Sequence, residues 1–239
     1  MVYIPAGDFI MGSNNNDDEK PQHRVQLDSY WMYRHEVTVA QYRKFCQATG
    51  TSMPPAPSGG LQDKHPIVNV SWNDALAYCD WAGVELPTEA QWEGAARGTD
   101  GRTWPWGNKW DAKKCNTEEN GPESTTPVGA YPEGVSPYGC LDMAGNVWEW
   151  CADWYAPNYY LSRRQARQGG GQECAPAESK WAKHRPISSA ARRRLVQQFR
   201  QRALRQPRQP HARLRGQLHR FPLRQDSLTF ALCPLTLCP

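Results

Sequence analysis

The 239-residue chain carries 28 Lys and Arg against 24 Asp and Glu, but this near balance hides two unlike parts. Residues 1–155 hold 11 basic and 21 acidic residues, and residues 156–239 hold 17 and 3, so their net charges are −10 and +14. Ten of the eleven tryptophans lie in the first part. We therefore expect a folded domain over residues 1–155, and an Arg-, Gln- and Pro-rich tail over residues 156–239 that is disordered or translated out of frame.

Several classes of protein are excluded by simple features of the chain. No apolar run is long enough to span a bilayer, and the first residues lack the pattern of a secretory signal, so no membrane partner is expected and a cytoplasmic location is the default. The eight cysteines include no Cys-x-x-Cys pair, which argues against a zinc site and a disulfide scaffold. Most of them are expected to be buried free thiols.

Strands are predicted in the first 35 residues by runs of apolar and β-branched residues. Val2–Met11 predicts a short strand followed by a turn. Arg24–Leu27 and Tyr30–His35 alternate between polar and apolar residues, and this pattern predicts a hairpin between them. Further along, the apolar segment Pro66–Val70 predicts a buried strand.

Three helices are predicted, because a capping residue precedes apolar positions at helical spacing in each case. Thr38 caps the first, Ser71 caps the second, which stops at Gly83, and Thr88 caps the third, which ends near Arg97. The apolar positions of the first two are Val39, Tyr42, Phe45 and Cys46, and Ala75, Tyr78, Cys79 and Ala82.

Residues 99–140 show little periodicity, and so long an irregular segment needs bound ions or packed aromatic residues to organise it. Most tryptophans are expected in the core, but the sequence leaves open whether Trp104-Pro105-Trp106 packs inside the domain or stacks on a ligand. His35 and His65 are expected to be structural.

Seven short blocks occur in order within the first part. They are Ile4–Ser13 (IPAGDFIMGS), Glu36–Thr38 with Gln41-Tyr42, His65–Trp72 (HPIVNVSW), Leu86–Glu93 (LPTEAQWE) with Ala95–Gly98, Trp106–Asn108, Pro127–Gly129 and Asp142–Trp150 (DMAGNVWEW). Together they resemble the formylglycine-generating enzyme (sulfatase-modifying factor) family over about residues 1–155. The resemblance implies an irregular, loop-rich α+β fold of C-type-lectin-like type, incomplete here at the C-terminus.

The resemblance also implies structural calcium. Asp142, the carbonyl groups of Gly145 and Val147, and Glu149 match one calcium site of the family. Carboxylate and carbonyl oxygens are the ligands that calcium prefers, and the alternative is a Gly-Asn turn with two solvated carboxylates. Asn116 and Thr117 match the start of a second site, although Glu118 and Glu123 do not align clearly with its acidic partner.

The catalytic segment of the family is not found. Family oxidases use two cysteines five positions apart, which bind Cu(I) between an Arg-Gly-Gly-Ser stretch and a Gly-Phe-Arg-Cys ending. Neither landmark occurs here, and Cys233 and Cys238 have the spacing without the context. We therefore expect no catalytic residue and no copper site in this chain.

A shift of one nucleotide in the reading frame is one explanation for the tail. Read out of register, the codons of Arg220–Arg224 permit Gly-Phe-Arg-Cys, and those of Arg194–Val196 permit Gly-Ser. The hypothesis is that the missing third of the family domain is still encoded in another reading frame. Even in that frame, the sequence shows little sign of the cysteine pair.

Three functions follow from these features. The chain is expected to be a calcium-stabilised binding or accessory domain, or a decayed product, acting on an unknown ligand or protein substrate. A copper-dependent oxidase that converts a sulfatase cysteine to formylglycine is the first alternative. Nucleic-acid binding through the basic tail is the weaker alternative, because basic runs are usually solvated.

Overall fold

The computed structural model describes residues 1–14, 19–117, 121–122 and 124–154, together with the backbone of two strands at residues 186–188 and 228–230. The segment proposed to be frameshifted, residues 194–224, and the pair Cys233 and Cys238 lie outside the described residues, as do Glu118 and Glu123. The fold mixes helices and strands. The strands are Val2–Ile4 (β1), Gly7–Met11 (β2), His23–Leu27 (β3), Tyr30–Met32 (β4), Trp148–Trp154 (β5), Pro186–Ser188 (β6) and Leu228–Phe230 (β7), and the helices are Val39–Thr49 (α1), Trp72–Ala82 (α2) and Glu89–Arg97 (α3).

The first four strands form one long antiparallel ribbon with a break in the middle. β1 pairs with β4 and β2 pairs with β3, and the register continues across the break, since Ile4 faces Tyr30 and Gly7 faces Leu27. The predicted hairpin between Arg24–Leu27 and Tyr30–His35 is therefore wrong, because both segments pair with the N-terminal strands. Pro5 lies at the break, where its missing N–H removes a donor from the ladder.

The three predicted helices are confirmed, with their caps. The side chains of Thr38, Ser71 and Thr88 each accept a hydrogen bond from the backbone nitrogen three residues later, and the residue at that position reaches back to complete a capping box. The longest of these helices have 11 residues. No helix in the described part of the chain is long and apolar enough to cross a membrane.

The segment Pro66–Val70 is buried as predicted, but it is not a strand. Only Pro66 forms a bridge, which pairs it with Thr38, although Ile67 and Val68 are almost fully buried. Asn69 has φ of 61°, a left-handed conformation that ends the extended segment. The prediction failed because burial on all sides resembles a strand in sequence, while the pairing with residues 37–39 is limited to a single bridge.

β5 lies between two apolar clusters. Trp150 belongs to the cluster built on α1 and α2, and its neighbour Cys151 belongs to the cluster that contains Trp92 of α3. Successive residues of a strand face opposite sides, so one strand serves both clusters. β5 is also the centre of a three-stranded sheet, with β6 antiparallel on one side and β7 parallel on the other.

The long segment before β5 is irregular, as predicted. Within the described residues, its regular structure consists of the short 3₁₀ turns Ala112–Lys114 and Pro132–Gly134. Backbone hydrogen bonds tie it to distant segments instead, for example from Val128 to the carbonyl of Lys64 and from Leu141 to the carbonyl of Arg34. This segment and the turn that follows it carry the candidate site.

Candidate metal centre

The turn that leads into β5 has an unusual backbone. Asp142, Gly145 and Asn146 all have positive φ, at 56°, 99° and 61°. Asp and Asn are among the few residues with side chains that adopt this conformation readily, which explains their place here. The nitrogen of Val147 donates to the carbonyl of Gly145 at 2.9 Å, so the turn closes tightly just before the strand.

The two carboxylates of the first predicted site are buried. Asp142 is 6% exposed and accepts a hydrogen bond from the Gly129 nitrogen at 2.6 Å. Glu149 is 2% exposed and accepts one from Nε1 of Trp92 at 3.0 Å. The alternative interpretation, a turn with two solvated carboxylates, is therefore wrong. Buried carboxylates need hydrogen bonds or a cation to offset lost hydration, so this donor set is compatible with calcium.

Asn116 of the second predicted site is also buried, at 7% exposure. Its Nδ2 donates to the Ser124 carbonyl at 2.8 Å and to Oδ1 of Asn146 at 3.2 Å. These two bonds fix the amide, because an amide nitrogen has two protons to donate. The amide oxygen of Asn116, Oδ1, faces Gly121. A Cβ added to Gly121 would lie only 1.9 Å from this oxygen, so position 121 has no room for a larger residue.

Thr117 adds oxygens beside Asn116. Its carbonyl accepts a hydrogen bond from the Gly121 nitrogen at 2.6 Å. Its hydroxyl Oγ1 is buried and has no hydrogen-bond partner among the described residues. A buried hydroxyl without a partner is costly, and a bound cation would satisfy it. The residues present at the second site therefore fit a hard cation.

The structure brings the two predicted sites into contact. The Asn146 nitrogen donates to the Asn116 carbonyl at 2.8 Å, and a Cβ on Gly145 would lie 2.3 Å from the same oxygen. Asp142 and Glu149 are anchored on different elements, the Gly129 loop and α3. Across the part of the chain that the structure describes, no group of three or more His, Cys, Asp or Glu side chains could hold a metal ion. A cation here would depend on carbonyl and amide oxygens.

The sequence prediction did not include three residues of this site, Asn146, Glu36 and Thr126. Glu36 accepts a hydrogen bond through Oε1 from Nδ2 of Asn146 at 3.2 Å, and Thr126 donates through its nitrogen to Oδ1 of Asn146 at 3.0 Å. Glu36 is 2% exposed. A buried acid cannot be told from a surface acid by spacing alone, and the only available signal was that Glu36 opens one of the seven blocks.

The described cysteines are all buried and free. Burial raises the pKa of the Cys79 and Cys140 thiols to about 12 and raises that of Cys151 well above its ordinary value. Burial also raises the pKa of Cys46. The described cysteines all belong to the two apolar clusters.

The residues Trp104, Trp106, His35 and His65 contact other residues of the domain. Trp104 is 2% exposed, and its ring lies 6.0 Å from that of Trp106, which packs against the same apolar cluster. Nδ1 of His65 lies 2.9 Å from Oγ1 of Thr125, and burial lowers its pKa. Nδ1 of His35 lies 2.9 Å from the Glu36 carbonyl. The question left open by the sequence is thus decided in favour of core packing for Trp104.

The fold and site define an α+β domain organised by an irregular loop with buried oxygens. The model of the sulfatase-modifying factor enzyme 1-like domain matches residues 1–201. The chain belongs to this family, which includes the formylglycine-generating enzymes.

Three relatives illustrate the similarity. The chain is 34% identical to the formylglycine-generating enzyme of Mus musculus, in a match that covers 66% of this chain and 59% of the mouse protein. It is 33% identical to the inactive Cα-formylglycine-generating enzyme 2 of the same species, covering 66% and 70%. The solved structure of Treponema denticola variable protein 1 matches with a TM-score of 0.52 and 25% identity, covering 66% and 73%.

Proposed function

We propose that this chain is a calcium-stabilised binding or accessory domain of the formylglycine-generating enzyme family, without oxidase activity. Its finer architecture would be of the C-type-lectin-like type. The observation that carries the calcium proposal is the set of buried oxygens on Asp142, Asn116, Thr117 and Glu149, in the irregular segment before β5 and at the start of that strand. Calcium supplies positive charge that holds such oxygens together.

The proposed ligands divide into two sets. Asp142 and Glu149 would bind the first ion with the carbonyls of Gly145 and Val147. The amide oxygen of Asn116 and the carbonyl of Thr117 would bind the second. The proposed side-chain ligands are already held by hydrogen bonds, Asp142 to Gly129, Glu149 to Trp92 of α3, and Asn116 through its amide nitrogen to Ser124. Little ordering is therefore left for the ion to impose.

Two observations support the absence of oxidase activity. The described cysteines are buried in the two apolar clusters. The one pair with the family spacing, Cys233 and Cys238, has none of the family context. A relative of similar identity carries the name of an inactive enzyme, so the family fold does not by itself require the reaction.

The test combines a binding and an activity measurement. Calorimetric titration with calcium should give saturable binding, with magnesium as the matched control, and chelation should lower the thermal unfolding temperature. A sulfatase peptide with its target cysteine, supplied with Cu(I) and oxygen, should remain unchanged by mass spectrometry, whereas the mouse formylglycine-generating enzyme serves as the positive control. Conversion of the cysteine by this chain would overturn the non-catalytic proposal.

We also propose that residues 194–224 are encoded one nucleotide out of register. The support is the family ending that the shifted codons of Arg220–Arg224 permit, together with the change in net charge from −10 to +14 at residue 156. Sequencing the gene through this region and comparing its reading frames with those of intact relatives tests the idea. A tail encoded in register in those relatives would exclude the shift.

A further inference from the structure

Asn146 joins four segments of the chain through a single side chain. Its Nδ2 donates to Oε1 of Glu36 at 3.2 Å and to the carbonyl of Thr126 at 3.4 Å. Its Oδ1 accepts from the nitrogen of Thr126 at 3.0 Å and from Nδ2 of Asn116 at 3.2 Å. The side chain therefore uses both its donor and its acceptor capacity inside the domain.

The backbone of Asn146 belongs to the first proposed site. It lies between Gly145 and Val147, whose carbonyls are proposed calcium ligands, and its φ of 61° sets the direction of the turn. Its nitrogen donates to the carbonyl of Asn116 at 2.8 Å. The position of the Gly145 carbonyl is thus fixed relative to the backbone of Asn116.

The side chain of Asn146 acts on the second proposed site. By accepting one proton of the Asn116 amide, it fixes the plane of that amide, while the Ser124 carbonyl accepts the other. The remaining oxygen of Asn116 is the proposed ligand of the second ion. The same residue therefore orients ligands of both ions without being a ligand of either.

From these contacts we propose that Asn146 is a positioning residue that couples the two calcium sites, so that one ion strengthens the binding of the other. This inference rests on the proposed calcium function. Binding at the first site holds the turn, which holds Asn116 in the orientation that the second ion needs. Coupling between binding sites is reciprocal, so binding of the second ion favours the first by the same factor.

Asn is the residue type best suited to this role. Glycine would keep the left-handed backbone but lose every side-chain bond. Aspartate would keep the acceptor but could not donate to Glu36, and its charge would face a buried carboxylate. The amide alone offers a donor and an acceptor in a left-handed turn.

The experiment is calorimetric titration of the full chain with calcium, comparing the native protein with Asn146→Gly. We expect the native protein to bind two ions with a Hill coefficient above 1. Asn146→Gly should lose this cooperativity and bind calcium about tenfold more weakly. The matched control is Asn69→Gly, since Asn69 has the same φ of 61° and its Nδ2 bonds only the distant Pro55 carbonyl among the contacts described. The control should bind as the native protein does.

The outcomes separate the inference from the proposed function. The coupling would be overturned by a binding curve for Asn146→Gly that matches the native curve. It would also be overturned if the native protein bound one ion, or two ions independently. Each of these results leaves the calcium proposal standing. No native binding would overturn both. Should Asn146→Gly fail to fold, the Hill coefficient of the native protein still decides, and a value of 1 overturns the coupling.

Discussion

The backbone carbonyl of Asn116 accepts a hydrogen bond from the backbone nitrogen of Asn146, 30 residues later in the chain, at 2.8 Å. This contact joins the irregular segment to the turn that opens β5. Few ladder or helix bonds are available in the segment, so its shape depends on such single contacts between distant residues. A substitution that removes one of these contacts should therefore lower the free energy of unfolding by more than the loss of a single hydrogen bond elsewhere.

Gly145 should not tolerate a side chain. A Cβ at this position would lie 2.3 Å from the Asn116 carbonyl oxygen, and the φ of 99° is unfavourable for any residue with a side chain. Backbone strain of about 1–2 kcal/mol and overpacking of about 1–3 kcal/mol predict that Gly145→Ala lowers the free energy of unfolding by about 2–5 kcal/mol. Urea denaturation followed by circular dichroism measures this.

The control for that substitution is Gly60→Ala. Gly60 has φ of 75°, but nothing lies within 4 Å of the Cβ that alanine would add. It should therefore show only the conformational cost, about 1–2 kcal/mol. Equal decreases in the free energy of unfolding of the two variants would show that the close approach of Gly145 to Asn116 does not contribute to the effect.

The sequence predicts those elements well that depend on residues close together in the chain. A helix with a capping residue and an apolar face depends on residues three or four apart, so α1, α2 and α3 could be predicted with their ends. The pairing of β3 with β2, and not with β4, depends on residues far apart, and alternation alone cannot give it. The same holds for the site: the motifs indicated Asp142 and Asn116, but the hydrogen bonds between Asn146 and Asn116 exist only in the folded chain.

The buried ion pair of α3 is predicted to carry far more stability than an exposed one. Nη1 of Arg97 lies 2.5 Å from Oε1 of Glu93 and also donates to the Gly12 carbonyl at 3.0 Å. The side chains are 12% and 6% exposed. Arg97→Ala should lower the free energy of unfolding by about 3–5 kcal/mol, because a buried carboxylate loses its cation.

Arg43→Ala is the comparison for the ion pair. Arg43 pairs with Asp63 at the surface, where the two side chains are 36% and 65% exposed. Such pairs contribute about 0–1 kcal/mol. Urea titration of both variants in parallel should separate them clearly, and a loss of less than 1 kcal/mol for Arg97→Ala would contradict the assignment of a buried pair.

Trp92→Phe should weaken calcium binding as well as stability. Trp92 is fully buried and its Nε1 donates to Glu149 at 3.0 Å, so phenylalanine removes the bond that orients a proposed ligand. Trp150→Phe is the matched control, since Trp150 is 6% exposed and its Nε1 donates to the Val70 carbonyl. Both variants should lose about 1–3 kcal/mol for the unsatisfied partner. Only Trp92→Phe should bind calcium more weakly by calorimetry, and equal affinities would remove Glu149 from the ligand set.

Stability should fall in alkaline solution because of the buried thiols. Burial raises the pKa of Cys79 and Cys140 from the ordinary value of 9.0 to about 12, so between these values the unfolded chain releases protons that the folded chain retains. The stability that these groups contribute is complete below pH 9 and is lost as the pH rises towards 12. Each thiol should steepen the decline by up to about 1.4 kcal/mol per pH unit.

Urea denaturation between pH 8 and pH 11 measures this decline, with Cys79→Ala as the variant that separates the thiol from other groups. Burial also raises the pKa of Tyr42 and Tyr78, so their contribution begins above pH 10, beyond the interval in which the two proteins are compared. The variant is less stable at pH 8 because it loses buried volume, but its decline between pH 9 and pH 10 should be shallower than that of the native protein. Parallel curves would mean that the Cys79 thiol ionises as easily inside the domain as in the unfolded chain, which burial in the cluster of α1 and α2 opposes.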